Sequence, residues 1–399
     1  MLNSTGARLS AALLGYSALI ILLMTLNPFY LALPHEIRYP FRGDLKNAFA
    51  NIILFLPIGF FYKFTGRDRG ALILGAGLSF GIETIQLFIP ARTASALDVV
   101  TNTLGAGLGA VIHSLLTNRI TLTRGMLGRL RLETPLMGLI YLLVLLLGVN
   151  AFTLAESPNR DVLTLLIGIC GSIILSDIYR HGSRRGSETV TIRGITFASL
   201  SAGAWFFIGT GLTLSYSGAL LVIGLGVMCL TAVLCLSPRQ IKERRFERAT
   251  LQHMLPVFIL YLLLLAIWPP SLPLGDWHAI LGFTSRITDK STQALTARME
   301  YLSAFTVLGY LIAEWRGRAE LPLKSDLPRL LTVAVITSLL LEFLAGFQMG
   351  RGASLFRAVM GIASALFGGI IYHLLRAHIR FLLGREAGVS NDHLREANR

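Results

Sequence analysis

Long apolar runs separated by short polar connections set the pattern of this chain. Runs rich in Leu, Ile, Val, Ala, Phe and Gly recur near 9–33, 47–64, 70–90, 97–117, 134–154, 162–179, 194–214, 217–236, 252–268, 299–315, 327–347 and 353–375. A helix of ~20 residues crosses a hydrocarbon core of roughly 30 Å, and most of these runs approach that length. Lipid offers no hydrogen bonds, so a crossing segment must pair its N–H and C=O groups internally, as a helix does. The pattern predicts an all-α, polytopic transmembrane helical bundle of about 12 spans. The first run follows a lone Arg8 and shows no small-residue cleavage signature before "NPFYLALP". It therefore reads as a retained span and not as a removed signal peptide.

Composition agrees with this reading: 53% of the 399 residues are hydrophobic, 15% are charged, and mean hydropathy is +0.64. Charge adds an orientation. Basic loops resist translocation, and the runs "PRQIKERRFER" from Pro238, "RHGSRRG" from Arg180 and "TNRITLTRGMLGRLR" from Thr117 all fall on one side of an alternating path. That places both ends inside a cytoplasmic (inner) membrane, N-in and C-in. The net charge of +14 is spread over these inner loops, where it meets anionic headgroups, and this distribution excludes nucleic acid as a partner. Cys170, Cys229 and Cys235 lie within apolar runs, and the eight histidines are scattered without ligand spacing, so no cofactor is predicted.

One stretch departs from the apolar pattern. "SFGIETIQLFIPARTASALDVVTNTLGAGLG", Ser79 to Gly109, carries a Glu, a Gln, an Arg, an Asp and an Asn. A buried Asp costs about 2.5–3.5 kcal/mol on insertion scales, so such residues are candidates for a site. Helical spacing sorts them into stripes: Ser79, Glu83 and Gln86 on one helix, and Asp98, Asn102, Gly105 and Gly109 on the next. Asp44, Asn47 and Asn51 line the entry of the preceding helix. All three stripes lie toward the outer side, with Arg92 in the joining loop, suited to bidentate pairing with Glu83 or Asp98. Gly105 and Gly109 form a G-x-x-x-G that permits close helix approach. Two readings follow: an outward ligand-binding pocket, or a clamp that fixes how the helices dock. Oxygen ligands suit Mg²⁺ or Ca²⁺, but Arg92 repels a cation, and no metal is assigned.

Sliding the same stretch by 259 positions aligns it with "SLLLEFLAGFQMGRGASLFRAVMGIASALFG". Ser79, Glu83, Arg92, Ser95 and Gly109 then face Ser338, Glu342, Arg351, Ser354 and Gly368. At an offset of 250, Phe55 faces Phe305 and Gly59 faces Gly309. The sequence thus predicts a parallel three-helix internal repeat. The copies differ at Asp98 and Arg357, Asn102 and Gly361, Gln86 and Ala345, and Asn51 and Tyr301. Glu342, Arg351 and Arg357 form the second copy's candidate constellation, whose basic balance favours either a structural role or an anionic headgroup.

The first copy resembles the VanZ-like family of membrane proteins associated with teicoplanin and glycopeptide resistance. The resemblance runs from about Asp44 to Leu116. It rests on N-x-x-x-F-x-P-x-G at Asn51, Phe55, Pro57 and Gly59, on Glu83 with Gln86, on Pro90 with Arg92, and on Asp98 with Asn102 before Gly105 and Gly109. Residues 321–375 look like a degenerate second copy. The resemblance implies action at the outer face on antibiotic susceptibility or envelope chemistry, and it supplies no established reaction.

The expected organisation is a VanZ-like domain over 1–120, central helices over 121–270, a degenerate repeat over 271–380 and a cytoplasmic tail over 381–399. The leading functional expectation is binding of a cell-wall precursor, lipid or glycopeptide-related ligand by Asp44, Asn51, Glu83, Gln86, Arg92, Asp98 and Asn102. Glu83 and Asp98 are the candidate general bases if the ligand reacts. A transporter of a glycolipid or small solute and a scaffold for envelope polysaccharide synthesis are the competing classes.

Overall fold

A computed structural model describes residues 5–26, 31–33, 37, 39–41, 45–65, 70–90, 92–119, 124–156, 160–183, 191–211, 218–237, 247–268, 275–280, 292–315, 321–348 and 352–397. Twelve helices lie among the described residues, each overlapping one of the predicted apolar runs, although α1 ends before its run does, α5 begins within the basic stretch ahead of its run, and α12 continues to Ala397, through most of the predicted tail. They are α1 (Thr5–Thr25), α2 (Leu45–Phe64), α3 (Ala71–Gln86), α4 (Ala96–Arg119), α5 (Arg124–Glu156) and α6 (Asp161–Ser183). The second six are α7 (Ile192–Gly211), α8 (Gly218–Leu236), α9 (Glu247–Ile267), α10 (Thr292–Trp315), α11 (Leu323–Ala345) and α12 (Leu355–Ala397).

Eight of these helices are long and apolar enough to cross a membrane, while α1, α3 and α5 carry shorter apolar stretches. Helix α10 also carries Arg298, Glu300 and Glu314 along its length. The chain divides into two compact units, residues 1–135 with 370–399, and residues 136–369.

In the first unit α4 packs along α2 at backbone contact, because their shared seam is made of glycine and alanine. A Cβ at Gly59 would lie 1.7 Å from the Ala106 carbonyl oxygen, one at Gly105 2.3 Å from that of Ile52, and one at Gly109 2.0 Å from that of Leu56. Only hydrogen fits there. Lipid gives helices little hydrophobic reason to associate, so close van der Waals approach has to supply it. Phe55, Ile58, Ile82, Ile89, Ile21 and Leu26 form the buried apolar core behind this seam, which brings in α1 and α3. An extended arm precedes α2: the Ala32 amide donates to the Phe88 carbonyl at 2.7 Å, and the Ala96 amide to the Pro40 carbonyl at 3.2 Å. This arm lies along the turn that joins α3 to α4.

In the second unit α6 is largely enclosed, and α7, α8 and α9 pack around it. Small residues again make room. The Trp205 ring lies against Gly171, and its Nε1 donates to the Ile140 carbonyl at 3.2 Å. The same unit holds α10, α11 and the first part of α12. A Cβ at Gly309 would lie 1.7 Å from the Ala365 carbonyl oxygen, and one at Gly368 1.9 Å from that of Thr306. Here too an arm precedes the helices. Ala279 and Ile280 pair in parallel with Ala353 and Ser354, and the Gly275 amide donates to the Phe347 carbonyl at 3.0 Å.

These seams predict a selective glycine sensitivity. Gly59→Ala and Gly309→Ala each force a methyl into a backbone carbonyl and should cost about 1–3 kcal/mol, read as a lower unfolding midpoint of the detergent-solubilised protein. Gly77→Ala meets open space and should hold or raise the midpoint, since alanine is favoured in a helix by up to ~1 kcal/mol.

Candidate ligand-binding site

Glu83 sits on the last turn of α3 and is 2% exposed. Its carboxylate is not bare: Oε2 accepts the Ser95 backbone N–H at 2.7 Å. Ser95 directly precedes α4, whose first N–H groups have no partner within the helix and carry the positive end of its dipole. A carboxylate there answers both needs. Among the described residues, no hydrogen bond reaches the second oxygen, Oε1.

Asp98, on the first turn of α4, stands close enough to Glu83 for the two charges to repel. Asn51 of α2 hydrogen-bonds its carboxylate. One turn deeper, Asn102 donates through Nδ2 to Ser79 Oγ at 2.8 Å. Asn102 is 4% exposed, and its Oδ1 is buried with no hydrogen-bond partner. A buried orphan acceptor costs about 1–3 kcal/mol unless something donates to it.

The predicted residues therefore divide. Asn51, Glu83, Asp98 and Asn102 come together between α2, α3 and α4, with Ser79 at the floor. Gln86 turns away and donates to the Thr25 carbonyl at 2.8 Å, tying α3 to the end of α1. Arg92 is half-buried in the connecting turn, where its amide donates to the Ile89 carbonyl at 2.9 Å and desolvation lowers its pKa from the ordinary value. Asp44 and Arg351 lie outside the described residues.

The segment around Glu342 repeats the carboxylate-to-amide bond and then diverges. Glu342 Oε2 accepts the Ser354 N–H at 2.8 Å, but Arg357 now closes on the carboxylate in a fork. Its Nε donates to Oε1 at 2.9 Å and its Nη2 to Oε2 at 2.7 Å, while Nη2 also donates to the Gly352 carbonyl. Gly352 has φ of 63°, a left-handed conformation that glycine adopts without strain. The Tyr301 ring packs on Phe305 with centroids 4.5 Å apart and covers Gly361. Arg357 thus spends its charge on Glu342, and the basic balance read from composition does not leave this guanidinium free for a headgroup.

A third buried cluster, in the second unit, escaped sequence reasoning. Glu300 of α10, fully buried, accepts from Arg160 and from Asn150 of α5, and from the Tyr261 hydroxyl of α9 at 3.1 Å. Thr164 of α6 donates to Asn150 at 2.7 Å. Glu300 and Asn150 were visible as polar residues in apolar runs, but Arg160 is 140 positions from its partner and no local spacing links them. A second knot joins the ends of α6 and α9, where Thr250 donates to Asp177 at 2.8 Å. No group of three or more His, Cys, Asp or Glu residues suited to a metal ion occurs among the described residues.

Apolar helices with buried polar clusters between them define a multi-helix membrane protein. Residues 3–117, which take in α1 to most of α4, match the VanZ/LLP1 family model, so the N-terminal part of the chain is VanZ-like. The match reaches further upstream than the motifs did, adding α1, and its range ends before α5. No curated protein and no solved structure matches the chain.

The fork between Arg357 and Glu342 carries a stability prediction. Arg357→Met leaves a buried carboxylate without its cation and should cost about 3–5 kcal/mol by denaturation in detergent. Adding Glu342→Gln to it should recover part of that loss, because the uncompensated charge is removed.

Proposed function

We propose that the N-terminal VanZ-like unit binds an envelope ligand, a lipid headgroup or cell-wall precursor, at the outer face of the cytoplasmic membrane. The observation that carries this reading is the orphan Asn102 Oδ1 beside two carboxylates of like charge. A clamp built only for docking sets opposite charges together, as Glu342 and Arg357 do. Asn51, Glu83, Asp98 and Asn102 form the wall of the site. Asp44 and Arg92 belong to the proposed set, and Gln86, which donates to the Thr25 carbonyl, supports it from outside the cluster. If the bound ligand reacts, Glu83 and Asp98 are the groups to move a proton.

This reading includes twelve spans with both ends inside, and descent of α2–α4 and α10–α12 from one parallel three-helix unit. Matching contacts support the repeat. Gly59 on Ala106 corresponds to Gly309 on Ala365, Gly109 on Leu56 to Gly368 on Thr306, and Glu83 with Ser95 to Glu342 with Ser354. The N-terminal domain then covers 1–120, with central helices over 121–270, a degenerate copy over 271–380 and a tail over 381–399.

Two measurements test the reading. With Cys229 replaced by Ser, Thr93→Cys should react with a membrane-impermeant maleimide on intact cells, and Ser325→Cys only after permeabilisation; the reverse pattern refutes the outward site. Glu83→Gln, Arg92→Gln and Asp98→Asn should keep near-normal yield in detergent while abolishing the chain's effect on glycopeptide susceptibility. A collapse in yield would instead mark the constellation as a structural clamp of an envelope scaffold.

A further inference from the structure

The segment around Glu342 shows what chemistry the site around Glu83 accepts. The two share a buried Glu that receives the amide of a helix-start Ser, at 2.7 Å for Glu83 and 2.8 Å for Glu342. Around Glu342 the remaining acceptor capacity is filled by nitrogen donors of a cation, the Arg357 guanidinium. Around Glu83 the equivalent position is Asp98, which is shorter, of opposite charge, and brings no donor. Tyr301, which fills space beside the fork, is Asn51 in the first copy. Arg to Asp and Tyr to Asn remove more side chain than Gly361 to Asn102 adds. The N-terminal site therefore lacks both the cation and much of the bulk that complete its counterpart.

We propose that a primary ammonium group, carried by an ethanolamine-type phospholipid headgroup, takes the place of that guanidinium and donates to Glu83, Asp98 and Asn102. This rests on the binding reading above and names its ligand class. An ammonium has three donors and no acceptor. The site offers three matching acceptors: Glu83 Oε1, without a hydrogen bond among the described residues, an Asp98 carboxylate oxygen, and the orphan Asn102 Oδ1. One positive charge also relieves the repulsion between Glu83 and Asp98, which each alone leave uncompensated against the other. A quaternary ammonium, with no N–H, satisfies none of these acceptors.

A lipid source fits the surroundings. Ile85 of α3 and Val100 and Leu104 of α4 are exposed apolar residues on the helices that build the site, at 40%, 47% and 52%. Such faces contact acyl chains in a membrane, so a headgroup enters the site with its chains already on favourable surface.

The test uses the full chain, purified in detergent, stripped of lipid, and offered phosphatidylethanolamine, phosphatidylcholine and phosphatidylglycerol with identical acyl chains, with retention read by native mass spectrometry. Phosphatidylethanolamine should be retained at least tenfold over the other two, and Glu83→Gln should abolish the preference. Asp98→Arg is the sharper variant. It installs the Glu342–Arg357 arrangement in the N-terminal site, so the protein should remain folded, with an unfolding midpoint no lower than before, and lose the preference.

A folded Asp98→Arg protein that still selects phosphatidylethanolamine overturns the proposal. Should that variant not fold, Glu83→Gln decides alone, and an unchanged preference in it is fatal. Equal retention of the three lipids, lost together in both variants, rejects the ammonium but keeps a headgroup site. Retention of no lipid in a manner that depends on Glu83 or Asp98, with no binding of a wall precursor either, removes the binding reading as well. Stabilisation by sodium or magnesium alone, without lipid preference, reassigns the site to an inorganic cation and rejects the proposal. Soluble phosphoethanolamine that competes as well as the lipid rejects the acyl-chain contribution and leaves a free amine as the ligand.

Discussion

The N-terminal unit depends on a single hydrogen bond, from the Ser95 amide to the Glu83 carboxylate. Helix ends are the weak points of a membrane bundle, because their first N–H groups have neither an intrahelical partner nor water within the hydrocarbon region. A carboxylate from the preceding helix answers that need across the turn that joins α3 to α4. It also fixes the geometry of the turn, and so the depth at which α4 begins. Once α4 starts there, Gly105 and Gly109 fall opposite Ile52 and Leu56, and α2 closes on it at backbone distance.

That arrangement creates an electrostatic problem, since the buried carboxylate brings a charge with it. The segment around Glu342 solves it internally: Arg357 forks onto the carboxylate, and Gly352, freed from the usual limits on φ, turns its carbonyl toward the same guanidinium. In the N-terminal unit the residue that the sequence aligns with Arg357 is a second acid, Asp98.

The second unit applies the same constraint elsewhere. Helix α6, largely enclosed, has a polar knot near each end: Thr164 joins the Glu300 cluster, and Asp177 takes the Thr250 hydroxyl. Around Glu300 the three described partners, Asn150, Arg160 and Tyr261, are all donors, which compensates the buried charge. Such a network orders the docking of α5, α9 and α10 more than it adds net stability.

The apolar runs by themselves determined the helices. Hydrophobicity at this length, in lipid, leaves the backbone no other satisfied conformation, and so a helix overlaps each apolar run, while the ends of α1, α5 and α12 lie away from the ends of their runs. The spacing of Glu83, Asp98, Asn102 and the glycines was legible for the same reason, because helical periodicity converts spacing into a shared face. Partner choice was not. Glu83 takes a backbone amide, which no side-chain pattern encodes, Gln86 reaches back to Thr25, and Arg160 finds Glu300 across the chain. Those pairings follow from which helices touch and at what depth, and only the packed tertiary structure decides that.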